Sequence, residues 1–562
     1  MHSRFSYPLE INEYNRDLVD AAVTAANELY DQPIKALPYT TFRLFEQQGS
    51  REEYESEYMI HRKMLCAFTA AALTIRDSKW IDKLCDIVWA VCDEFTWALP
   101  AHVVKSKTAV DKVERIDLFA AETAIALCEI YHIFESVLPD GVKSRIQYEV
   151  RRRIIDSYKR RCNRFPVSNW SAVCACGVGA AFVYLGEDGE FEEVKENLVA
   201  NMQDFLKSYT DDGCCLEGAL YWSYGFSHFC YLAELLREHT NGDIDFFKNE
   251  KVRRMAFFYQ NINLGDNYFV PFSDAPHTCN YDSSLLFLLS EKYDGIIIPP
   301  TCYENKFGDF GNDSRYRFAP FIRNLYWGRL PGENTLTDKN YTYYSDAEWY
   351  INKSPSFSFA AKAGHNDEPH NHNDVGSFIL FDSGKFIIED IGWAKYDKAY
   401  FDGEKRYENI CASSFGHSVP IVSGCAQKSG KEHCAKVIKA DEFHFEIDLA
   451  GAYGCSSLRS YIRRFTVVPT GIEISDHTDS DVKLVSRFIT SEKPVIAENS
   501  VRIDGFELSC NQDISPIISC FEYTPRFEGF ATLDESSVKA YSIDFDISGY
   551  KNVQYSILKI TK

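Results

Sequence analysis

The sequence predicts a two-part fold, with a helical first half and an antiparallel β-sheet second half. Up to about residue 320, apolar residues recur every three or four positions, which is typical of helices with one buried face. From about residue 325, short segments alternate apolar and polar residues between turn sequences, which is typical of antiparallel strands. We therefore predict two domains, residues 1–325 and residues 326–562.

The first half predicts helices joined by short turns. Turn sequences rich in Gly and Asp separate the periodic segments near residues 139–141, 186–189 and 211–213. Consecutive helices with short links pair in space, which predicts an α/α toroid or an α-solenoid. The predicted helices cover residues 18–29, 58–75, 80–95, 116–134, 142–158, 172–184, 191–209 and 226–238.

The second half predicts strands that pair through tight turns. The sequence Pro469-Thr470-Gly471 between two apolar segments is typical of a hairpin. Many such hairpins predict antiparallel sheets packed as a β-sandwich, and a cleft between the two domains is a natural place for an active site. The predicted strands cover residues 357–363, 377–381, 385–390, 443–448, 459–468, 471–476, 482–489, 538–546 and 553–560.

Composition and charge limit the classes of function. The chain has 562 residues, of which 45% are hydrophobic, so large cores can form. The formal net charge of −22 and the lack of a dominant basic tract disfavour nucleic-acid binding, and an anionic polymer would need a locally positive cleft.

Cysteine usage and hydropathy bear on location. The 18 Cys include no CxxC pair and are typical of a reducing compartment, and we find neither an apolar signal core nor a run of 18 apolar residues. We therefore expect a cytoplasmic protein without membrane contact, or a periplasmic or secreted one if a signal peptide has been removed. The sequence is compatible with a homodimer.

The segment 370–374, with the sequence His-Asn-His-Asn-Asp, carries the strongest chemical signal. Its alternation would place both imidazoles and the carboxylate on one face of an extended chain. The next turn would bring Asp390 beside them, and His417 can complete the set. Imidazole and carboxylate at this density suit Zn²⁺ or Mn²⁺. We predict a metal site formed by His372, Asp390 and His417, with locally hydrogen-bonded histidines as the alternative.

Segments of the helical half combine aromatic and polar side chains. Asn169 opens a predicted helix, where an Asn is also a good N-cap. Residues 217–226 place a Tyr-Trp pair after Glu-Gly at another helix start, where the rings can face a cleft or pack in a core. Residues 272–277 place polar side chains directly after an apolar segment, which suggests a loop that lines a cleft. Residues 97–102 show the same pattern less clearly. The predicted substrate-binding residues from these segments are Trp170, Tyr221, Trp222, His102 and Asp274.

Taken in chain order, these segments resemble the heparinase II/III-like polysaccharide lyases. The pattern is Asn-Trp, then Glu-Gly…Tyr-Trp-x-Tyr-Gly, then His-x-His-x-Asp-x-Gly-Ser-Phe, then Gly-His-Ser, and it covers nearly the whole chain. The resemblance implies an (α/α) toroid followed by an antiparallel β-sandwich. It also implies a lyase that cleaves uronic-acid-containing glycosaminoglycans of the hyaluronate, chondroitin or heparan type by β-elimination.

The resemblance further implies roles for single residues. Asn169 would hydrogen-bond the uronate carboxylate and neutralise it, and Tyr224 would protonate the glycosidic oxygen. Tyr224 would also take the C5 proton of one C5 epimer, and His370 would take that of the other. Arg406 is our candidate for binding a carboxylate or sulfate, because its guanidinium suits bidentate anions, with a surface ion pair as the alternative. The metal, zinc or manganese rather than calcium, would be structural.

Other functions remain open at this point. An alginate lyase or other polyuronate lyase would use the same fold and residues. A glycoside hydrolase would need two carboxylates flanking the bond, for which Glu217 and Asp274 can be proposed. A sugar-binding or scaffold protein would not need the acid and base side chains that this chain retains.

Overall fold

The fold consists of a helical half followed by a β-rich half. This computed structural model describes residues 4–161, 164–308, 316–329, 340–394, 400, 402–403, 405–498, 500–525 and 537–560. Among the described residues, the α-helices lie before residue 328, and all strands but two short ones follow residue 340. This order confirms the predicted α+β fold class.

The helices match the predicted periodic segments and add short ones between them. The helix α11 begins after the N-cap Ser168 and packs on α8, α12 and α14, so it lies at the centre of the helical half. The helices are α1 Arg16–Leu29, α2 Tyr39–Phe42, α3 Leu44–Gln48, α4 Glu52–Thr74, α5 Ser78–Asp93, α6 Pro100–Val103, α7 Ala109–Val113, α8 Leu118–Ile133, α9 Asp140–Val150, α10 Asp156–Arg161, α11 Asn169–Leu185, α12 Glu190–Lys207, α13 Gly218–Tyr221, α14 Ser227–His239, α15 Glu250–Ala256, α16 Phe258–Ile262, α17 Ser283–Lys292 and α18 Phe318–Trp327.

Two π-helical turns interrupt this regular pattern. Arg151–Ile155 joins α9 to α10, and Trp222–Phe226 joins α13 to α14. Each π-helical turn holds one residue more than an α-helical turn, and such turns occur often at functional sites. The second turn carries Tyr224.

The strands form antiparallel sheets. They are β1 Asn263–Gly265, β2 Tyr268–Phe269, β3 Tyr341–Tyr344, β4 Trp349–Lys353, β5 Ser358–Lys362, β6 His365–Asn366, β7 Phe378–Asp382, β8 Lys385–Ile388, β9 Ile421–Val422, β10 Gly430–Cys434, β11 Lys436–Ala440, β12 His444–Asp448, β13 Leu458–Val468, β14 Gly471–Ser480, β15 Leu484–Thr490, β16 Val495–Ala497, β17 Ser500–Ile503, β18 Phe506–Cys510, β19 Ile517–Tyr523, β20 Val538–Asp546 and β21 Asn552–Lys559. The three larger sheets have the strand orders β11-β12-β13-β14-β21-β18-β17-β16, β19-β20-β15-β9 and β3-β4-β5-β7-β8.

Aromatic side chains hold the sheets face to face. Phe378 of β7 and Phe465 of β13 have ring centroids 5.0 Å apart, so the five-stranded sheet packs on the eight-stranded one. Phe488 of β15 lies 5.1 Å from Tyr555 of β21, which joins the four-stranded sheet to the same face. These contacts form the core of the predicted sandwich.

The predicted domain boundary falls within α18, which crosses position 325. The next described strand is β3, and residues 330–339 lie outside the described residues. The division at 325 therefore stays a prediction. Among the described residues, no helix has both the length and the apolar character needed to cross a lipid bilayer.

Candidate active site and metal centre

The histidine segment is a loop, so the prediction of one face of an extended chain is wrong. His370 has a left-handed backbone with φ of 57°, Gly376 has φ of 88°, and β7 begins only at Phe378. The chain therefore turns twice before the strand, and successive side chains do not alternate across a sheet. His370 and His372 nevertheless meet at one carboxylate: His370 Nδ1 lies 2.8 Å from Asp274 Oδ2, and His372 Nε2 lies 3.1 Å from Asp274 Oδ1.

Asp274 is a fully buried carboxylate that joins the two halves of the chain. Arg406 Nη2 donates to both of its oxygens at 2.9 and 3.0 Å, and the Tyr400 hydroxyl donates to Oδ1 at 2.5 Å. Burial alone would raise the pKa of Asp274, but hydrogen bonds from His370 and His372 and the Arg406 charge hold it well below its usual range. Asp274 is therefore an ionised group that orients its neighbours.

Arg406 forms a buried ion pair, and not a surface one. Besides binding Asp274, its guanidinium donates to the main-chain oxygens of Asn371 and Tyr400. Its side chain is only 11% exposed. The charge of Arg406 is thus used inside the protein, and a contact with substrate stays a prediction.

Asn169 lies in the first turn of α11, but it is not the N-cap. The Ser168 hydroxyl caps the helix by accepting from Trp170 N, which leaves the Asn169 amide for other contacts. Asn169 Nδ2 donates to Glu217 Oε2 at 3.2 Å, and Oδ1 packs against the Cα of Gly225. A Cβ at Gly225 would lie 1.8 Å from that oxygen, so only Gly permits this approach. Asn169 is therefore held against the turn that carries Tyr224.

Tyr224 is bound by a carboxylate and covered by a cation. Its hydroxyl donates to Glu122 Oε1 at 2.6 Å, and the Arg317 guanidinium lies 4.0 Å from its ring centroid. Arg317 also binds Glu122. Burial and the Glu122 charge raise the pKa of Tyr224 well above its usual value. Tyr224 therefore keeps its proton, which suits an acid. Sequence reasoning missed Glu122 and Arg317 because neither lies in a recognisable motif.

Tyr221 connects this group to the histidine loop. Its ring centroid lies 4.7 Å from that of His370, across the interface between the two halves. Burial raises the pKa of Glu217 above that of a free glutamate. Glu217 also interacts electrostatically with His370 and Asp274. Asn169, Glu217, Tyr221 and His370 therefore form one cluster.

Of the other predicted substrate-binding residues, His102 and Trp170 lie near the surface, whereas Trp222 is buried. His102 Nδ1 lies 2.6 Å from Asp117 Oδ2, and the His102 ring meets the Trp170 ring edge to face at 4.9 Å. Both side chains are partly exposed. Trp222 instead has 1% of its surface exposed, and its indole N–H donates to Met255 O. Trp222 is thus a core residue, because the π-helical turn directs its ring into the helical half.

Four buried side chains form a candidate metal centre. His372, Asp374, Asp390 and His417 each offer a ligand atom, and these atoms all lie within 4.8 Å of one another. The four include the three predicted ligands, His372, Asp390 and His417. The fourth, Asp374, was predicted to lie on the same side of the chain as the histidines, but not to bind the metal. His417 Nδ1 lies 3.2 Å from Asp390 Oδ2.

The hydrogen bonding of this centre fits a cation. The facing atoms are His372 Nδ1, His417 Nδ1, Asp390 Oδ2 and both Asp374 oxygens. All are buried, and their ion-pair contacts are with one another or with Lys362. The other imidazole nitrogens are engaged, His372 Nε2 with Asp274 and His417 Nε2 with Cys411 O. Such outer contacts orient metal-binding imidazoles. Lys362 Nζ also lies 2.7 Å from Asp374 Oδ1, which offsets one of the two carboxylate charges. The donor set suits zinc or manganese in chemistry, and the identity of the ion stays a prediction.

Comparison with known proteins reveals a shared fold. No protein-family model matches the sequence, and no curated protein matches it. Heparinase III is 14% identical to this chain, the match covers 100% of this chain and 88% of that one, and the TM-score is 0.66. Heparan sulfate lyase from Pedobacter heparinus is 13% identical, with 97% and 88% covered and a TM-score of 0.58. Chondroitin AC lyase from Streptomyces coelicolor A3 is 9% identical, with 98% and 80% covered and a TM-score of 0.56. The chain has the fold of these three enzymes.

Proposed function

We propose that this protein is a polysaccharide lyase that cleaves uronic-acid-containing glycosaminoglycans by β-elimination. The observation that carries the proposal is the cluster at the interface between the halves. There the His370–Asp274 pair meets Tyr221 and the Asn169–Glu217 pair, with Tyr224 three positions after Tyr221. The fold shared with three glycosaminoglycan lyases supports it.

Neutralising the uronate carboxylate is the first requirement of this reaction. Removal of the C5 proton places negative charge on that carboxylate, and fixed hydrogen-bond donors stabilise the charge as it develops. Asn169 Nδ2 uses one N–H for Glu217 and has a second for the substrate. Glu217, whose burial favours the protonated form, adds an O–H donor without adding a repelling charge.

Proton transfer then needs a base and an acid. In our proposal, His370 Nε2 takes the C5 proton, because Nδ1 is held by Asp274. The C–H electrons form the C4–C5 double bond, the C4–O bond breaks, and the Tyr224 hydroxyl gives its proton to the leaving oxygen. The Arg317 cation over the Tyr224 ring stabilises the resulting phenolate until solvent takes the C5 proton from His370 and returns a proton to Tyr224.

The metal has a structural role in this proposal. His372, Asp374, Asp390 and His417 would hold one zinc or manganese ion. When bound, the ion would tie the histidine loop to Asp390 and His417, and so would fix the loop that carries His370.

The hydrolase reading has less support from the geometry. Its second carboxylate, Asp274, is fully buried and bound by Arg406 and two histidines, so it has no free lone pairs for water or a leaving group. A polyuronate lyase remains a variant of the same mechanism, distinguished by substrate.

The test is the ultraviolet absorbance of unsaturated uronate on hyaluronate, chondroitin sulfate, heparan sulfate and alginate. We expect a rise with at least one glycosaminoglycan, and a rise about 10²- to 10⁴-fold slower with the Tyr224→Phe protein. New reducing ends without this absorbance would establish hydrolysis and overturn the proposal. A rise confined to alginate would keep β-elimination and reject the glycosaminoglycan assignment.

A further inference from the structure

A depression lies beside Trp170, outside the cluster of Asn169, Glu217, Tyr221 and His370. Its walls include Arg115, Arg161, Arg164, Phe165, Pro166 and Trp170. Three arginines at one depression stand out in a chain whose net charge is −22. The depression therefore supplies local positive charge of the kind that an anionic polymer requires.

Two of these arginines are already neutralised. Arg161 binds Asp111 and Glu114, each at 3.1 Å. Arg164 binds Asp204, with a hydrogen bond of 3.0 Å from its Nε. Their charges are largely compensated within the protein.

Arg115 differs from both. Within the described part of the chain, no carboxylate lies within ion-pair distance of it, and its side chain is exposed. The acidic residue of this wall, Glu114, has Arg160 on one oxygen at 2.8 Å and Arg161 on the other at 3.1 Å. Glu114 therefore neutralises little of the positive charge of Arg115. The Arg115 guanidinium can then bind an oxoanion with two parallel N–H donors.

The position of Trp170 relates this depression to the active cluster. Trp170 follows Asn169 directly, so their Cα atoms are about 3.8 Å apart. Its partly exposed ring, braced by His102, offers an apolar face of the kind on which a pyranose can stack. A sugar residue on this face would be the neighbour of the uronate bound by Asn169.

We propose that Arg115 and Trp170 form a subsite for a sugar residue that carries its own acidic group, next to the uronate at the reaction centre. This inference rests on the lyase function proposed above. The acidic group is the sulfate of a hexosamine in a sulfated glycosaminoglycan, or the carboxylate of a second uronate in a polyuronate. Hyaluronate, whose hexosamine is uncharged, lacks the group.

The test measures binding to the full-length protein. We would use calorimetry on the Tyr224→Phe background, so that turnover does not interfere, with tetrasaccharides of chondroitin sulfate, alginate and hyaluronate. Removing one charged hydrogen bond is expected to weaken binding by about 10- to 100-fold. We therefore expect Arg115→Ala to lower the preference for an acidic tetrasaccharide over the hyaluronate one by that factor, and Arg115→Lys to restore part of it. Arg76→Ala, at another exposed arginine without an ion pair among the described residues, is the matched control.

Each outcome decides the proposal. A loss confined to the chondroitin sulfate tetrasaccharide assigns the subsite to sulfate, and a loss confined to alginate assigns it to a carboxylate. An unchanged preference in Arg115→Ala, or failure of all three tetrasaccharides to bind, overturns the subsite. Because binding is measured without turnover, failure of the lyase function would appear separately, as the absence of unsaturated product with the wild-type enzyme.

Discussion

His370 and Asp274 form a hydrogen-bonded pair across the interface, with Nδ1 of the imidazole 2.8 Å from Oδ2 of the carboxylate. The two residues are 96 positions apart and belong to different halves of the chain. Arg406 and His372 fix the same carboxylate, so the orientation of the proposed base depends on correct packing of the helical half against the sandwich.

Substitutions at this pair separate catalysis from stability. We expect His370→Gln to lower turnover by at least about 10²-fold, the usual contribution of a general base, with little change in unfolding, because its side chain is partly exposed. Asp274→Asn should lower turnover and also destabilise the fold by about 3–5 kcal/mol, since it leaves Arg406 buried without its counter-charge. Initial rates and denaturant unfolding measure both, with His444→Gln as control. Full turnover in His370→Gln would remove it from the base role.

Tyr224→Phe removes the proposed acid and keeps the ring. We expect turnover to fall by about 10²- to 10⁴-fold. The fold should survive, because Glu122 keeps its bond to Arg317. Product absorbance and circular dichroism measure the two properties, and Tyr343→Phe, in the sandwich, should behave as wild type. Substantial residual activity would mean that another group protonates the leaving oxygen.

Removal of the metal ligands should lower metal content and thermal stability together. His372→Ala and His417→Ala each delete one of four converging ligands. An ion present at about 100 times its Kd stabilises the folded state by about 2.7 kcal/mol, and that increment should disappear. Elemental analysis and melting curves with and without chelator are the measurements, with His444→Ala as control. Unchanged metal content and melting in both variants would contradict the site.

Gly225→Ala tests whether the position of Asn169 matters without touching its chemistry. The new Cβ would lie 1.8 Å from Asn169 Oδ1, so the amide must move. A displacement of about 1 Å can cost about 10²-fold in rate. Gly141→Ala, where the Cβ would meet open space, is the matched control. Kinetics equal to those of the control would show that the amide tolerates displacement.

Glu217→Gln distinguishes a neutral donor from an ionised catalyst. If Glu217 acts in its protonated form beside Asn169, the Gln amide still offers a hydrogen-bond donor. Turnover should then stay within about tenfold of wild type, because a neutral hydrogen bond contributes only about 1 kcal/mol. Glu217→Ala, which leaves Asn169 Nδ2 without this acceptor, should be markedly slower. Complete inactivity of Glu217→Gln would instead assign Glu217 an ionised role, as in a hydrolase.

Local patterns predicted most of the fold but less of the site. The helix predicted at 226–238 is observed as Ser227–His239, and the strand predicted at 459–468 is observed as Leu458–Val468, because periodicity is a local property. The strand Trp349–Lys353 was missed because four of its five residues are buried, so it shows no alternation.

The site depends on contacts between residues distant in the chain. The sequence around Asp274 does not indicate that its carboxylate contacts His370, His372 and Arg406. The sequence around Glu122 likewise does not indicate that it accepts a hydrogen bond from Tyr224. Trp222 was assigned to the cleft because it adjoins Tyr221, but a helical turn sends neighbouring side chains in different directions. Three of the four side chains of the candidate metal centre were predicted, because His372 and His417 belong to recognisable motifs and a turn was expected to bring Asp390 beside them.

The π-helical turn Trp222–Phe226 makes the position of Tyr224 depend on a single residue of chain length. Deleting one residue there would let α13 run into α14 as an ordinary α-helix, since the wider turn exists only because of that residue. The residues of the turn, Tyr224 among them, would then change direction, because each residue of a π-helical turn rotates the chain by less than the 100° of an α-helix. The hydroxyl now bound by Glu122 would move away from that carboxylate, while the backbone would gain regular α-helical hydrogen bonds. A single residue of chain length would therefore separate a protein that holds the Tyr224 hydroxyl on Glu122 from one that folds equally well without that contact.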